Sequence, residues 1–233
     1  MSVRYTYYGS AAPAFNPLDL NPDFYWVGDT DSYVDAGLTL CTEGQDIEQF
    51  GASSDTHVFN ATAKPVWKDG IKNGHAVARF DGSTNFLGNT SLIPSPQTNQ
   101  ARTTAFVFNS DTFVGNGALA TWDGAGTATY RTMRPIDSTA DIQVFIRGDS
   151  GTGYNVRYGA GSSAGNWYII IAVDTGFFLD IYINGVISLV AQNSSLASAR
   201  TYTDVFLGKG RATSQFFDGD IADLRIFSAA ISS

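Results

Sequence analysis

Charge is scarce in this 233-residue chain: Asp, Glu, Lys and Arg together make up 15%, against about a quarter in ordinary globular proteins. Glutamate is scarcer still, with Glu43 and Glu48 the only two. Glu favours helices while Asp favours turns and caps, so an acid content that is nearly all Asp argues against helix. No stretch of eleven or more residues shows helical periodicity. Cys41 is the sole cysteine, which excludes an intrachain disulfide. No apolar run approaches the length of a membrane span. The opening MSVRYTYYGSAAPAFNPLDL has no apolar core of the secretory type, so no classical signal peptide is expected. Basic residues are too few to balance the acids, and the formal charge is −8. A surface of that sign repels phosphate backbones, which excludes nucleic acid as an expected partner.

What is present points to strands and tight turns. There are 24 glycines, 13% aromatics and 43% hydrophobic residues. Short apolar runs alternate with turn signals from Phe24 onward. Ala76–Phe80 alternates and stops at Asp81-Gly82, Thr103–Phe108 reads as a buried strand, and Asp141–Arg147 places Ile142, Val144 and Ile146 on one face. Trp167–Val173 is continuously apolar, which predicts a central strand covered on both faces. Phe177–Ile183 and Val186–Val190 flank Asn184-Gly185, the strongest hairpin signal in the chain. Further strands are expected at Tyr154–Tyr158, Val205–Leu207 and Ile221–Phe227, the last with Ala222, Leu224 and Ile226 on one face and Asp223 and Arg225 side by side on the other, and single helical turns near 94–100 or 228–233. Such spacing predicts an all-β, antiparallel two-sheet β-sandwich. A sandwich of this length commonly forms one domain. The expected organisation is an N-terminal arm at 1–20 and a single domain at 21–233. The arm carries Tyr5, Tyr7 and Tyr8, amphipathic anchors suited to an interface, with Pro13 and Pro17 interrupting regular structure. Its alternative is a first edge strand of the same domain.

Three segments in order resemble the laminin-G-like, concanavalin A-like domains of phage virion and bacterial surface proteins. The first begins at Asn16 and includes NGHAVARFDGSTNFL; the second is NWYIIIAVDTGFFLDIYINGVI at Asn166–Ile187; the third is VFLGKGRATSQFFDGDIADLRIFSAAIS at Val205–Ser232. Phe50 stands where the family usually has Trp, and Ser53-Ser54-Asp55-Thr56 replaces its Gly-rich turn. The resemblance implies a concanavalin A-like jelly roll. It also implies a non-catalytic structural or adhesive virion module on the particle surface: a capsid decoration, head-fibre, tail or baseplate protein, homo-oligomeric and bound to other virion proteins. The alternative is a carbohydrate-binding, lectin-like domain acting as host adhesin. A glycan hydrolase is the third reading.

The residues weigh against catalysis. Laminarinases of this fold set their carboxylates on one strand face as E-x-D-x-E, and retaining hydrolysis needs carboxyl groups about 5 Å apart. Here the nearest match is Glu43, Asp46 and Glu48, whose spacing turns Glu43 away from the other two. His57 and His75, the only histidines, lie in no nucleophile motif. No zinc-spaced cluster or phosphate loop is present. No cofactor is required. Calcium is the one metal the resemblance implies, with Asp81, Asn85, Asp218 and Asp220 as candidate oxygen donors; the competing reading makes them turn residues that bond their own backbone. For sugar binding, Trp122 and Asp123 are the candidate aromatic platform and polar partner, read as lying between strands, while Trp26, Trp67 and Trp167 read as core.

Overall fold

The computed structural model describes residues 24–27, 32–33, 39–50, 59–89, 102–113, 117–124, 130–136, 141–147, 153–158, 162–175, 178–192, 202, 204–211, 215–227 and 230. The Tyr5, Tyr7 and Tyr8 arm, His57 and, apart from residue 230, the expected helical turns lie outside them. Among the described residues there is no helix, and every strand pairing is antiparallel.

The strands are β1 Phe24–Val27, β2 Ser32–Tyr33, β3 Gln49–Phe50, β4 Phe59–Ala63, β5 Val66–Lys72, β6 His75–Asp81, β7 Phe86–Asn89, β8 Arg102–Ser110 and β9 Ala120–Asp123. They continue with β10 Tyr130–Ile136, β11 Asp141–Arg147, β12 Gly153–Tyr158, β13 Trp167–Asp174, β14 Phe178–Ile183, β15 Val186–Gln192, β16 Asp204–Leu207 and β17 Asp218–Phe227. One sheet has eight strands in the order β15-β14-β13-β8-β17-β6-β5, with β1 also paired to β17. The other has nine, in the order β12-β11-β10-β9-β16-β7-β4-β3-β2. Neighbours distant in sequence, such as β8 and β17 or β9 and β16, show the long connections of a jelly roll.

One apolar core joins the facing sides of the two sheets. Phe80, Phe106, Phe108, Ile170, Ile181 and Leu224 come from the eight-stranded sheet; Leu87, Met133, Val144 and Leu207 come from the nine-stranded one. Phe217, just ahead of β17, meets Phe80 and Phe108 edge-on at centroid distances of 6.0 and 6.3 Å. The expected hairpin is present: Asn184 and Gly185 both have positive φ, 50° and 79°, as a type I′ turn requires. The same geometry at Asn73 and Gly74, φ 53° and 83°, joins β5 to β6.

Two expectations need correction. β13 is not covered on both faces: Tyr168, Ile170 and Ala172 are buried, but Ile169 is 47% exposed and Trp167 is half-buried. Its apolar run reflects a core on one side and an open sheet face on the other. Simple alternation also fails in β17. A bulge between Ile221 and Asp223 leaves Ala222 half-buried and sends Ile221, Leu224 and Ile226 into the core. Asp223 and Arg225 do pair side by side, with Arg225 Nη2 donating to Asp223 Oδ2 at 2.8 Å.

Candidate functional site

Trp122 does not lie between strands. It belongs to β9, is 3% exposed and packs in the core, with the Arg131 guanidinium 5.3 Å from its ring centroid. Its flanking glycines suggested a loop, but a four-residue strand fits between them. A buried ring cannot serve as an exposed stacking platform, so that expectation is withdrawn. Trp67 is partly buried against the core as expected; Trp167 is not core but half-buried on the outer face of β13, with Lys72 Nζ 5.6 Å from its centroid; the side chain of Trp26 lies outside the described residues.

The four candidate calcium donors are engaged locally. Asp81 Oδ1 accepts the backbone N–H groups of Ser83, Thr84 and Asn85 at 2.9, 2.9 and 3.0 Å. Both neighbouring hydroxyls donate to its Oδ2. Burial works against the charge, but these donors outweigh it and hold the carboxyl well below the usual range. Asn85 Nδ2 donates to the Lys64 carbonyl at 2.7 Å. Asp218, directly opposite Asp81 in the sheet register, accepts from Thr112 Oγ1 at 3.4 Å. Asp220 is buried and paired to Arg79, with Arg79 Nε 2.6 Å from Oδ1. Among the described residues no group of three His, Cys, Asp or Glu is placed to hold a metal ion. The turn-residue reading describes Asp81, and ion pairing describes Asp220.

The acidic run disperses in the same way. Glu43 accepts the Asp69 N–H at 2.5 Å and a Lys68 bond at 3.3 Å, and Glu48 pairs with Lys64. His75 is exposed. Cys41 is buried, and burial first, then Asp46, pushes its thiol up to about 11, so it is a poor nucleophile.

A different cluster sits on the nine-stranded sheet, on the face turned from the core. Val205 and Leu207 point inward, so strand alternation turns Asp204 and Phe206 outward. The same rule turns Thr121 and Asp123 outward beside inward Ala120 and Trp122, and Phe86 and Gly88 outward beside Leu87. The register sets Phe206 between Gly88 and Thr121, and Asp204 opposite Asp123. Phe86 and Phe206 meet edge-on with centroids 6.0 Å apart, and Phe216 adds a third ring 6.3 Å from Phe86. Gly88 makes room below: a Cβ there would press on the Phe206 ring at 3.3 Å. Lys209 Nζ lies 4.3 Å from the Phe86 centroid and 5.1 Å from that of Phe206.

Polar groups border this platform. Arg211 Nε is 3.2 Å from Asp123 Oδ1, and the Gly124 N–H donates to the same oxygen at 3.0 Å. Burial raises the Asp123 carboxyl against the pull of Arg211, and Asp204 adds to the rise. Further along the same face the polar groups are buried or half-buried and engaged with one another: Thr121 Oγ1 bonds Thr132 Oγ1 at 3.1 Å and Arg134 Nε donates to Gln143 Oε1 at 2.5 Å, so the accessible polar border is Asp123, Asp204 and Arg211. Of Trp122 and Asp123, the two residues expected for sugar binding, only Asp123 reaches this cluster. Phe86, Phe206 and Lys209 were missed. Their available signal is a phenylalanine on the polar side of two short strands, in Asn85-Phe86-Leu87-Gly88 and Val205-Phe206-Leu207.

No curated protein matches the chain significantly. Among solved structures, the chain is similar to domain 4 of AbnA, an extracellular arabinanase of family GH43 from Geobacillus stearothermophilus, in complex with arabinotriose; identity is 15%, the TM-score 0.64, and 91% of this chain and 94% of that one are covered. It also resembles the NanB sialidase of Streptococcus pneumoniae, at 15% identity and TM-score 0.54 over 67% of this chain, which spans only 26% of that protein. A heptameric SAP-like pentraxin from Limulus polyphemus aligns at 16% identity and TM-score 0.52, covering 66% of this chain and 76% of that one. At such identities the likeness is one of fold. A family model described as the concanavalin A-like lectin/glucanases superfamily matches residues 72–233, most of the chain. With two antiparallel sheets around one core and that match, the protein belongs to the concanavalin A-like lectin/glucanase superfamily.

Proposed function

We propose that the protein is a non-catalytic carbohydrate-binding module that holds a glycan on the outward face of its nine-stranded sheet. The observation that carries this reading is the Phe86–Phe206 platform beside Asp123, Asp204 and Arg211. Sugars present apolar C–H patches and directional hydroxyls, which suit an aromatic surface bordered by charged hydrogen-bonding groups. The resemblance to a domain solved with arabinotriose supports the same ligand class. Calcium has no part in this reading, because Asp81 and Asp220 already have other partners. Catalysis has none either: Asp123 is held by Arg211, and no strand carries the E-x-D-x-E arrangement. The test is a glycan array read with the wild type and Phe206→Ala. Binding should be retained only by the wild type, with loss of about tenfold in the variant, taking the about 1–3 kcal/mol that a nucleobase gains on an aromatic ring as the scale for a sugar face packed on Phe206. Release of reducing sugar from any bound glycan would overturn the non-catalytic part.

A second reading keeps the particle-surface role: a structural or adhesive virion protein that self-associates. Its setting rests on the sequence resemblance. Its self-association is supported by the outer face of the eight-stranded sheet, where Ile169 and Ile187 are each 47% exposed. Asp223 and Arg225 neutralise each other on that face. The edge strand β15, VISLVAQ, has neither charge nor proline to discourage pairing with a second copy.

A further inference from the structure

We propose that Lys209 makes this face selective for sugars bearing an anionic substituent, a carboxylate or a sulfate, over their neutral counterparts. The inference rests on reading the Phe86–Phe206 face as a glycan site. Its independent observation is the state of the lysine. Lys64, Lys68, Arg79, Arg211 and Arg225 each meet a carboxylate. Lys209 meets none among the described residues; its ammonium lies over two aromatic rings. Arg211, two residues further on, is held by Asp123 and is not in the same position to accept an anion.

The ammonium therefore covers the ring surface a sugar would use. A neutral sugar must displace it and offers no charge in exchange. An anionic sugar draws the ammonium off the rings and pairs with it, so the platform is uncovered and the charge is matched in one event. The contact to be displaced is a partly exposed cation–π interaction, which corresponds to about a two- to five-fold penalty on neutral ligands. Because the charge pairing occurs near the surface, its contribution declines with added salt. The backbone bridge of Lys209 to Phe216 does not involve the side chain, so truncating the lysine leaves the local strand pairing in place.

The experiment is calorimetric titration of the full chain with paired oligosaccharides of equal length, one neutral and one carrying a uronate carboxylate or a sulfate. The wild type, Lys209→Met and, as a control, Lys72→Met are compared. Lys72 lies over Trp167, outside this platform. The wild type and Lys72→Met should prefer the anionic member of a pair, with a preference that falls between 50 and 500 mM salt. Lys209→Met should bind the neutral member about two- to five-fold more tightly than the wild type and should lose the preference. A preference that survives Lys209→Met, or a wild type that favours the neutral sugar, overturns the inference while leaving the glycan site standing. Failure of every pair to bind overturns the glycan site and this inference with it.

Discussion

At the scale of single residues, Arg79 and Asp220 show how a buried charge is tolerated. Asp220 is 1% exposed, and Arg79 reaches both its oxygens from a half-buried position while also pairing with Asp111. Burial raises the Asp220 carboxyl and outweighs the guanidinium that lowers it. An acid whose folded pKa is raised is favoured in the folded state when protonated. Its stabilisation is complete below the unfolded pKa and is lost as pH rises through the folded one. Arg79→Met removes the compensating cation and should cost about 3 kcal/mol near neutrality. Asp220→Asn, which removes the charge itself, should cost clearly less. The deficit of Arg79→Met should shrink as pH is lowered, because a protonated Asp220 needs no partner. Urea midpoints of the wild type and both variants, measured at several pH values, check this. A deficit that stays constant across pH would show that lost packing, and not charge, sets the cost.

At the scale of elements, glycines with the same backbone sign have unequal importance. Gly185 ends the β14–β15 hairpin with φ 79°, and a side chain there would point into open space. Gly219 opens β17 with φ 145°, and a Cβ would fall inside contact distance of the Asn109 carbonyl oxygen and close to Ser110 in β8. The β17–β8 pairing lies at the middle of the eight-stranded sheet, so the backbone cannot yield there without disturbing both strands. Gly185→Ala should cost about 1 kcal/mol, the penalty of a left-handed conformation with a side chain. Gly219→Ala adds overlap to strain and should cost about 3 kcal/mol. Thermal unfolding of the two variants orders them; equal costs would mean that β17 shifts to make room. The same distinction explains the legibility of the strands. Asn184-Gly185 is a local signal and β14–β15 was readable from it. β9 and β10 were not: Ala120–Asp123 is short and glycine-flanked, and Tyr130–Ile136 lacks clean alternation, with two arginines, a threonine and a proline among its apolar residues. Their pairing partners β16 and β11 supply what the local sequence lacks.

At the scale of the whole molecule, the chain carries a formal charge of −8, which opposes association of copies. The row Ile169, Ile171, Tyr182 and Ile187 runs across β13, β14 and β15 on the outer face, where charge is sparse. If β15 pairs with its counterpart in a second copy, Ile187→Lys places two like charges near that junction. The wild type should then sediment as an oligomer at micromolar concentration and Ile187→Lys as a monomer, both with unchanged circular dichroism. A wild type that stays monomeric at all concentrations tested sinks the self-association reading and leaves the glycan platform untouched.

The sequence by itself determined the class of fold. Strand periodicity, near-absence of glutamate, abundant glycine and the Asn-Gly turn are local or compositional properties, and each acts within a few residues of the chain. It also determined the Asp223–Arg225 pair, since residues two apart on a strand share a face whatever surrounds them. The tertiary structure decided which aromatic rings face the core and which face outward. Trp122 became core because β10 and β16 flank it, and Phe206 became platform because Val205 and Leu207 took the inward positions and Gly88 left room beside it. The site joins β7 at Phe86–Asn89, β9 at Ala120–Asp123 and β16 at Asp204–Leu207, three segments well separated along the chain. No local pattern records that meeting, because sheet order is set by which strands can bury their apolar faces together.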